Sequence, residues 1–182
     1  MKRNLLSLVV LWPWILGCTG LASAGDAVQS VLSDPQRKFH GIGVVLVVDA
    51  VPGAELDGVV FYDDRAVRVF SSATVAKRIR KIMALGGARV PLTMRVVWRE
   101  GAGWDSVKKI WNEGTITGDH TIPVAERIPD DVLNDIRAQG GALRLKFRLK
   151  PDGVLFGWDI ERPGGGISKF DMPGGDFLDT RY

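Results

Sequence analysis

Two histidines, His40 and His120, stand 80 positions apart and share no ligand motif, so the chain has no zinc set of the usual three or four side chains. No acidic loop has calcium spacing either, and neither a metal nor a cofactor is expected. Asp119-His120 has the composition of an acid–base pair. Adjacent residues on an extended chain point to opposite faces, however, and cannot cooperate. Cys18 is the sole cysteine, and no serine sits in a Gly-x-Ser-x-Gly elbow. Gly41-Ile42-Gly43 precedes an apolar run and opens no helix, which is the wrong order for a phosphate-cradling loop. Catalysis would need a carboxylate site with no sequence signature.

Binding chemistry is better represented. Nine Lys and Arg fall between Arg65 and Arg99 with no Asp or Glu, which leaves 13 basic and 21 acidic residues in the remainder beyond Lys2 and Arg3. Such segregation marks an interaction face. Within it Val75, Ile79, Ile82 and Met83 recur at helical spacing, predicting a helix over Ala73–Leu85 with Lys77, Arg78, Arg80 and Lys81 on its outer side. These four cations are the candidate contact for a protein partner or an acidic surface. Trp104 and Trp111 lie in a glycine-rich stretch, where an exposed aromatic would anchor a partner; a single helical turn capped by Asp105 is expected there. Arg144, Lys146, Arg148 and Lys150 form a further basic stripe. Without the two leader cations the net charge is about +1, so no nucleic-acid partner is expected.

The elements that must carry these residues follow from patterning. Met1-Lys2-Arg3-Asn4, the apolar run Leu5–Leu16 and Ala22-Ser23-Ala24 have the order of a secretory signal peptide. That run is too short to span a bilayer. Two processing routes are open. Release after Ala24 gives a periplasmic or secreted protein. Alternatively Ile15-Leu16-Gly17-Cys18, similar to a lipobox, gives an outer-membrane lipoprotein anchored at Cys18. The expected organisation is signal peptide 1–24, lead-in 25–38, a single domain 39–162 and a Gly/Pro-rich tail 163–182.

Inside the domain, Ile42–Val51 reads as a strand buried on both faces. Val59–Tyr62 and Ala66–Phe70 flank the Asp63-Asp64 turn, and Leu92–Arg99 alternates. Thr115–Val124 is a further strand. Pro129 with Asp130-Asp131 starts a helix that Gly140-Gly141 ends. Leu143–Lys150 and Val154–Glu161 form a hairpin about Pro151-Asp152-Gly153. Pairing Phe147 with Trp158 sets Lys146 opposite Asp159 and Arg144 opposite Glu161 as exposed pairs. A short edge strand is expected near Ile167–Met172. The fold class is α+β, an antiparallel-rich sheet with two helices packed on it.

The order Val96-Val97-Trp98-Arg99, Ile128-Pro129 before a short helix, and strand-Pro151-Asp152-Gly153-strand to Trp158 resembles small exported bacterial lipoproteins. Some of these are immunity proteins against phospholipase toxins. The shared positions are few and generic, and no family is assigned from them. The function expected is a non-catalytic envelope protein that binds a macromolecular partner as inhibitor, immunity protein or complex subunit. The alternatives are a lipid or anionic-polymer binder and a hydrolase built on carboxylates.

Overall fold

A computed structural model describes residues 37–82, 90–164 and 169–180. The strands are β1 (Gly43–Ala50), β2 (Leu56–Asp63), β3 (Arg68–Val75), β4 (Ile79–Ile82), β5 (Thr93–Glu100), β6 (Gly103–Asp105), β7 (Ile110–Asn112), β8 (Thr115–Pro123), β9 (Ala142–Lys150), β10 (Gly153–Arg162) and β11 (Lys169–Gly175). A helix, α1 (Asp130–Gln139), lies between β8 and β9. One sheet runs β11-β10-β9-β1-β4, a second β3-β2-β5-β8, and β6 pairs with β7 in a two-stranded ribbon. Every pairing is antiparallel except β1 with β9.

The alternating residues Leu143, Leu145, Phe147 and Leu149 of β9 join Val44, Leu46 and Val48 of β1 in the core. They share it with Val59 and Phe61 of β2 and Met94, Val96 and Trp98 of β5. Phe61 meets Phe147 edge to face at 5.3 Å, which ties the two sheets together. Helix α1 adds Val132, Leu133 and Ile136. Its acidic first turn complements the helix dipole, and Gly140 at φ 78° ends it by returning its N–H to the Ile136 carbonyl. Gly118 lets β8 pass over Trp98, because a Cβ there would lie 2.0 Å from the indole.

Three expectations are corrected. The described part of the Ala73–Leu85 segment is no helix: it is the end of β3, a bend at Ala76 to Arg78, and β4. Residues 83–89 lie outside the described residues. Val75, Ile79 and Ile82 suit a strand as well as a helix face. Pairing β4 along β1, Val48 with Ile79 and Val45 with Ile82, gives the β1 backbone a ladder partner that no helix could supply. Tertiary pairing therefore overrides the local period. Of the two expected helices, α1 alone is found among the described residues.

The Gly101–Gly114 segment holds no helical turn but the β6–β7 hairpin. Asp105 still organises its turn, accepting from the Val107 and Lys108 N–H groups at 3.0 and 2.9 Å. The β9–β10 register is also displaced by two residues: Phe147 faces Phe156, Leu145 faces Trp158 and Arg144 faces Asp159. A two-residue turn at Pro151-Asp152 replaces the expected four-residue loop. Because the shift is even, every side chain keeps its face.

Candidate functional site

The four proposed helix cations are separated by the β3–β4 geometry. Arg80 binds Glu161 with its two carboxylate oxygens at 3.0 and 2.9 Å. Lys81 donates to the Val69 carbonyl. Lys77 and Arg78 lie exposed on the bend between the strands. The four do not form one cationic face.

Trp104 and Trp111, by contrast, sit directly opposite each other in the β6–β7 register and are each 58% exposed. Beside the hairpin runs an open groove of about 360 Å³. Its floor comes from Gly58 and Val60 on β2, its walls from Tyr62, Arg68, Arg99 and Trp111. The groove exists because β2 alternates. Val59 and Phe61 are fully buried, whereas Gly58, Val60 and Tyr62 face away from the core. Gly58, at φ 56°, would place a Cβ only 3.1 Å from that of Arg99, so glycine keeps β5 and its arginine close. Arg99 has a long contact to Glu113 at 3.7 Å. Arg68 is exposed and has no acidic partner among the described residues. A guanidinium held beside aromatic rings recognises carboxylates or phosphates and stacks on flat groups. Nothing in the sequence pattern placed Tyr62, Arg68, Arg99 and Trp111 together; the pairing of β2 with β3 and β5 gathers the first three, and the β6–β7 hairpin supplies Trp111.

Asp119 and His120 separate as their alternation requires. Asp119 pairs with Arg95 at 2.5 Å, which holds its carboxyl below the ordinary aspartate range. The His120 ring stacks on Trp98 at 5.0 Å. Among the described residues no three His, Cys, Asp or Glu side chains gather as a metal site, and no helix is long and apolar enough to cross a membrane. Cys18 lies outside the described residues.

The basic stripe of β9 is neither exposed nor free. Arg144, Lys146 and Asp159 are fully buried. Arg144 grips both Asp159 oxygens, and the Lys146 Nζ lies 3.0 Å from Asp159 Oδ2. The C-terminal segment covers the cluster. Phe170 lies 3.7 Å from the Arg144 guanidinium, and Phe177 lies 5.0 Å from Lys146 and 4.4 Å from Arg148. Thr180 and Asp179 accept hydrogen bonds from Arg144 and Lys146 through their carbonyls. The alternation of β9 revealed the charged face, but nothing local showed that the tail would close over it.

No protein family, curated protein or solved structure matches the chain.

Proposed function

We propose that the chain is an exported, non-catalytic envelope protein that binds an acidic macromolecular partner, as inhibitor, immunity protein or complex subunit. The groove beside the hairpin is its contact site. The observation carrying this reading is the groove's chemistry: two guanidinium groups and two aromatic rings around an open floor, with Glu113 the sole carboxylate among the described lining residues. Arg68 and Arg99 would take carboxylates of the partner, and Trp111 and Tyr62 would bury its apolar surface.

Affinity capture from envelope extract with the chain starting at Gly25 tests this. Trp111→Ala is expected to weaken the captured complex about 30-fold, the effect of losing a ~2 kcal/mol anchor. Arg68→Ala should weaken it about tenfold, with a diminished response to salt. A partner retained equally by wild type and both variants would place the contact elsewhere.

Export rests on residues 1–24, with release after Ala24 proposed over lipidation at Cys18. The mass of the protein purified from the envelope is expected to correspond to a chain beginning at Gly25. A chain beginning at Cys18 and carrying acyl groups would establish the lipoprotein instead.

A further inference from the structure

Between Trp104 and Trp111 lies the densest run of exposed large apolar side chains among the described residues. Val107, in the hairpin turn, is 89% exposed, Ile110 is 53% exposed, and Ile116 follows on β8 at 46%. Isolated surface hydrophobes are ordinary, but four within eight residues of one projecting element are not. Among the described residues the hairpin pairs with no other strand, and a lone two-stranded ribbon gains little from exposing such groups to water. Its apolar residues also point in more than one direction. Trp104 and Trp111 share one face, Ile110 opposite Asp105 belongs to the other, and Val107 sits in the turn. A protein pocket would cover one face of the ribbon; a lipid interface surrounds the whole of it.

The charges fit one kind of interface. Lys108 and Lys109 occupy the turn, both exposed. Asp105 is turned back onto the Val107 and Lys108 N–H groups, with the Lys108 ammonium 3.7 Å away. Glu113, nearer the body, faces Arg99. Asp105 against Lys108 and Lys109 leaves the hairpin with a net charge of +1. Tryptophan favours the headgroup level of a bilayer, with its ring in the apolar boundary and its N–H hydrated. Lysine stems lie along apolar surface while their ammonium groups reach the phosphates. Three residues of strand span roughly 10 Å at most, so Val107 would reach the acyl boundary with Trp104 and Trp111 at headgroup depth.

We infer that the β6–β7 hairpin is a membrane-docking element that inserts Trp104, Val107, Ile110 and Trp111 into the interface of an anionic phospholipid bilayer, with Lys108 and Lys109 on the lipid phosphates. Trp111 then also lines the groove mouth, so a partner would be met at the membrane surface. This docking stands without the groove reading, because Arg68 lies off the hairpin and reports on the groove alone.

The test is flotation of the chain starting at Gly25, which contains the whole described core, with phosphatidylglycerol–phosphatidylcholine vesicles and with phosphatidylcholine alone. Wild type should float with the anionic vesicles. Replacing Trp104 and Trp111 by Ser should lower partitioning at least about tenfold, since binding follows buried apolar area. Lys108→Gln with Lys109→Gln should lower it about 25-fold on anionic vesicles, roughly fivefold per lysine, and leave neutral vesicles unaffected. Unchanged thermal unfolding of the variants shows that folding is intact, and Arg68→Ala should float as wild type does. Failure of wild type to float, or equal flotation of the hairpin variants, overturns the inference. So does loss of a captured protein by the hairpin variants without any change in flotation. If flotation fails while capture still depends on Arg68, docking alone falls; if capture fails while flotation depends on the tryptophans, the groove reading falls alone.

Discussion

Asp159→Asn is expected to destabilise the fold by about 3–5 kcal/mol, the cost of breaking a buried ion pair from one side. Asp159 is the carboxylate between the fully buried Arg144 and Lys146; an amide there leaves both cations without the carboxylate they share. Arg144 already has one buried nitrogen, Nη1, with no hydrogen-bond partner, so the site has little capacity to absorb the loss. For about 150 residues each kcal/mol shifts Tm by about 2–4 °C, and the variant should melt at least about 6 °C lower. Adding Lys146→Met should recover part of the deficit by removing one unpaired cation. An Asp159→Asn loss below about 1 kcal/mol would mean that the cluster is hydrated.

The same cluster predicts an unusual alkaline response. Burial pushes the Lys146 pKa below the ordinary lysine value, with Asp159 acting in the opposite direction. Between that lowered folded value and the unfolded value of about 10.4, the unfolded chain binds more protons. Lys146 therefore contributes stability that increases as pH rises through this window. In denaturant titrations across it, Lys146→Met should abolish that contribution, whereas a lysine held by a surface ion pair would lose stability as pH rises.

Ending the chain at Gly164 is expected to be more damaging still. It removes β11, exposing the β10 edge, and it removes Phe170 and Phe177 from the buried cations. It also removes Asp176, which accepts from the Phe156 N–H at 2.9 Å and pairs with Arg127 at 2.6 Å. Opening a buried charge cluster while losing a strand should cost more than about 5 kcal/mol, a large fraction of the 5–15 kcal/mol that folded domains possess. The shortened chain should melt at least about 10 °C lower, or without a cooperative transition. A melt within a few degrees of wild type would show the segment to be dispensable. Arg127 and Arg148 hold the Asp176 and Asp179 carboxyls below the ordinary aspartate range. Their contribution is present above the unfolded value and is lost as pH falls through the folded ones, so the full-length chain should lose stability in acid.

The sequence by itself determined those elements whose burial follows a strict period. The Val-rich β1, the alternating β5 and β9, and the Pro129-to-Gly140 helix lie where patterning places them, because their apolar spacing fits one conformation. Asp119 and His120 separate for the same reason. Tertiary structure decided the rest. Val75, Ile79 and Ile82 satisfy helix and strand alike, and the open edge of β1 selected the strand. The hairpin register moved by two residues because both registers keep Leu143, Leu145, Phe147 and Leu149 on the core face, and the tight Pro151-Asp152 turn selected one. The burial of Arg144, Lys146 and Asp159 depended on the segment beyond β10 folding back, with Phe170 and Phe177 as its stacking groups. Trp104 and Trp111 stood out in the sequence as residue types, but their exposure follows from the hairpin pairing with no other strand among the described residues. The groove has the same origin: β3, β2 and β5 come from separate stretches, and only their hydrogen-bonded order brings Arg68, Tyr62 and Arg99 to one face.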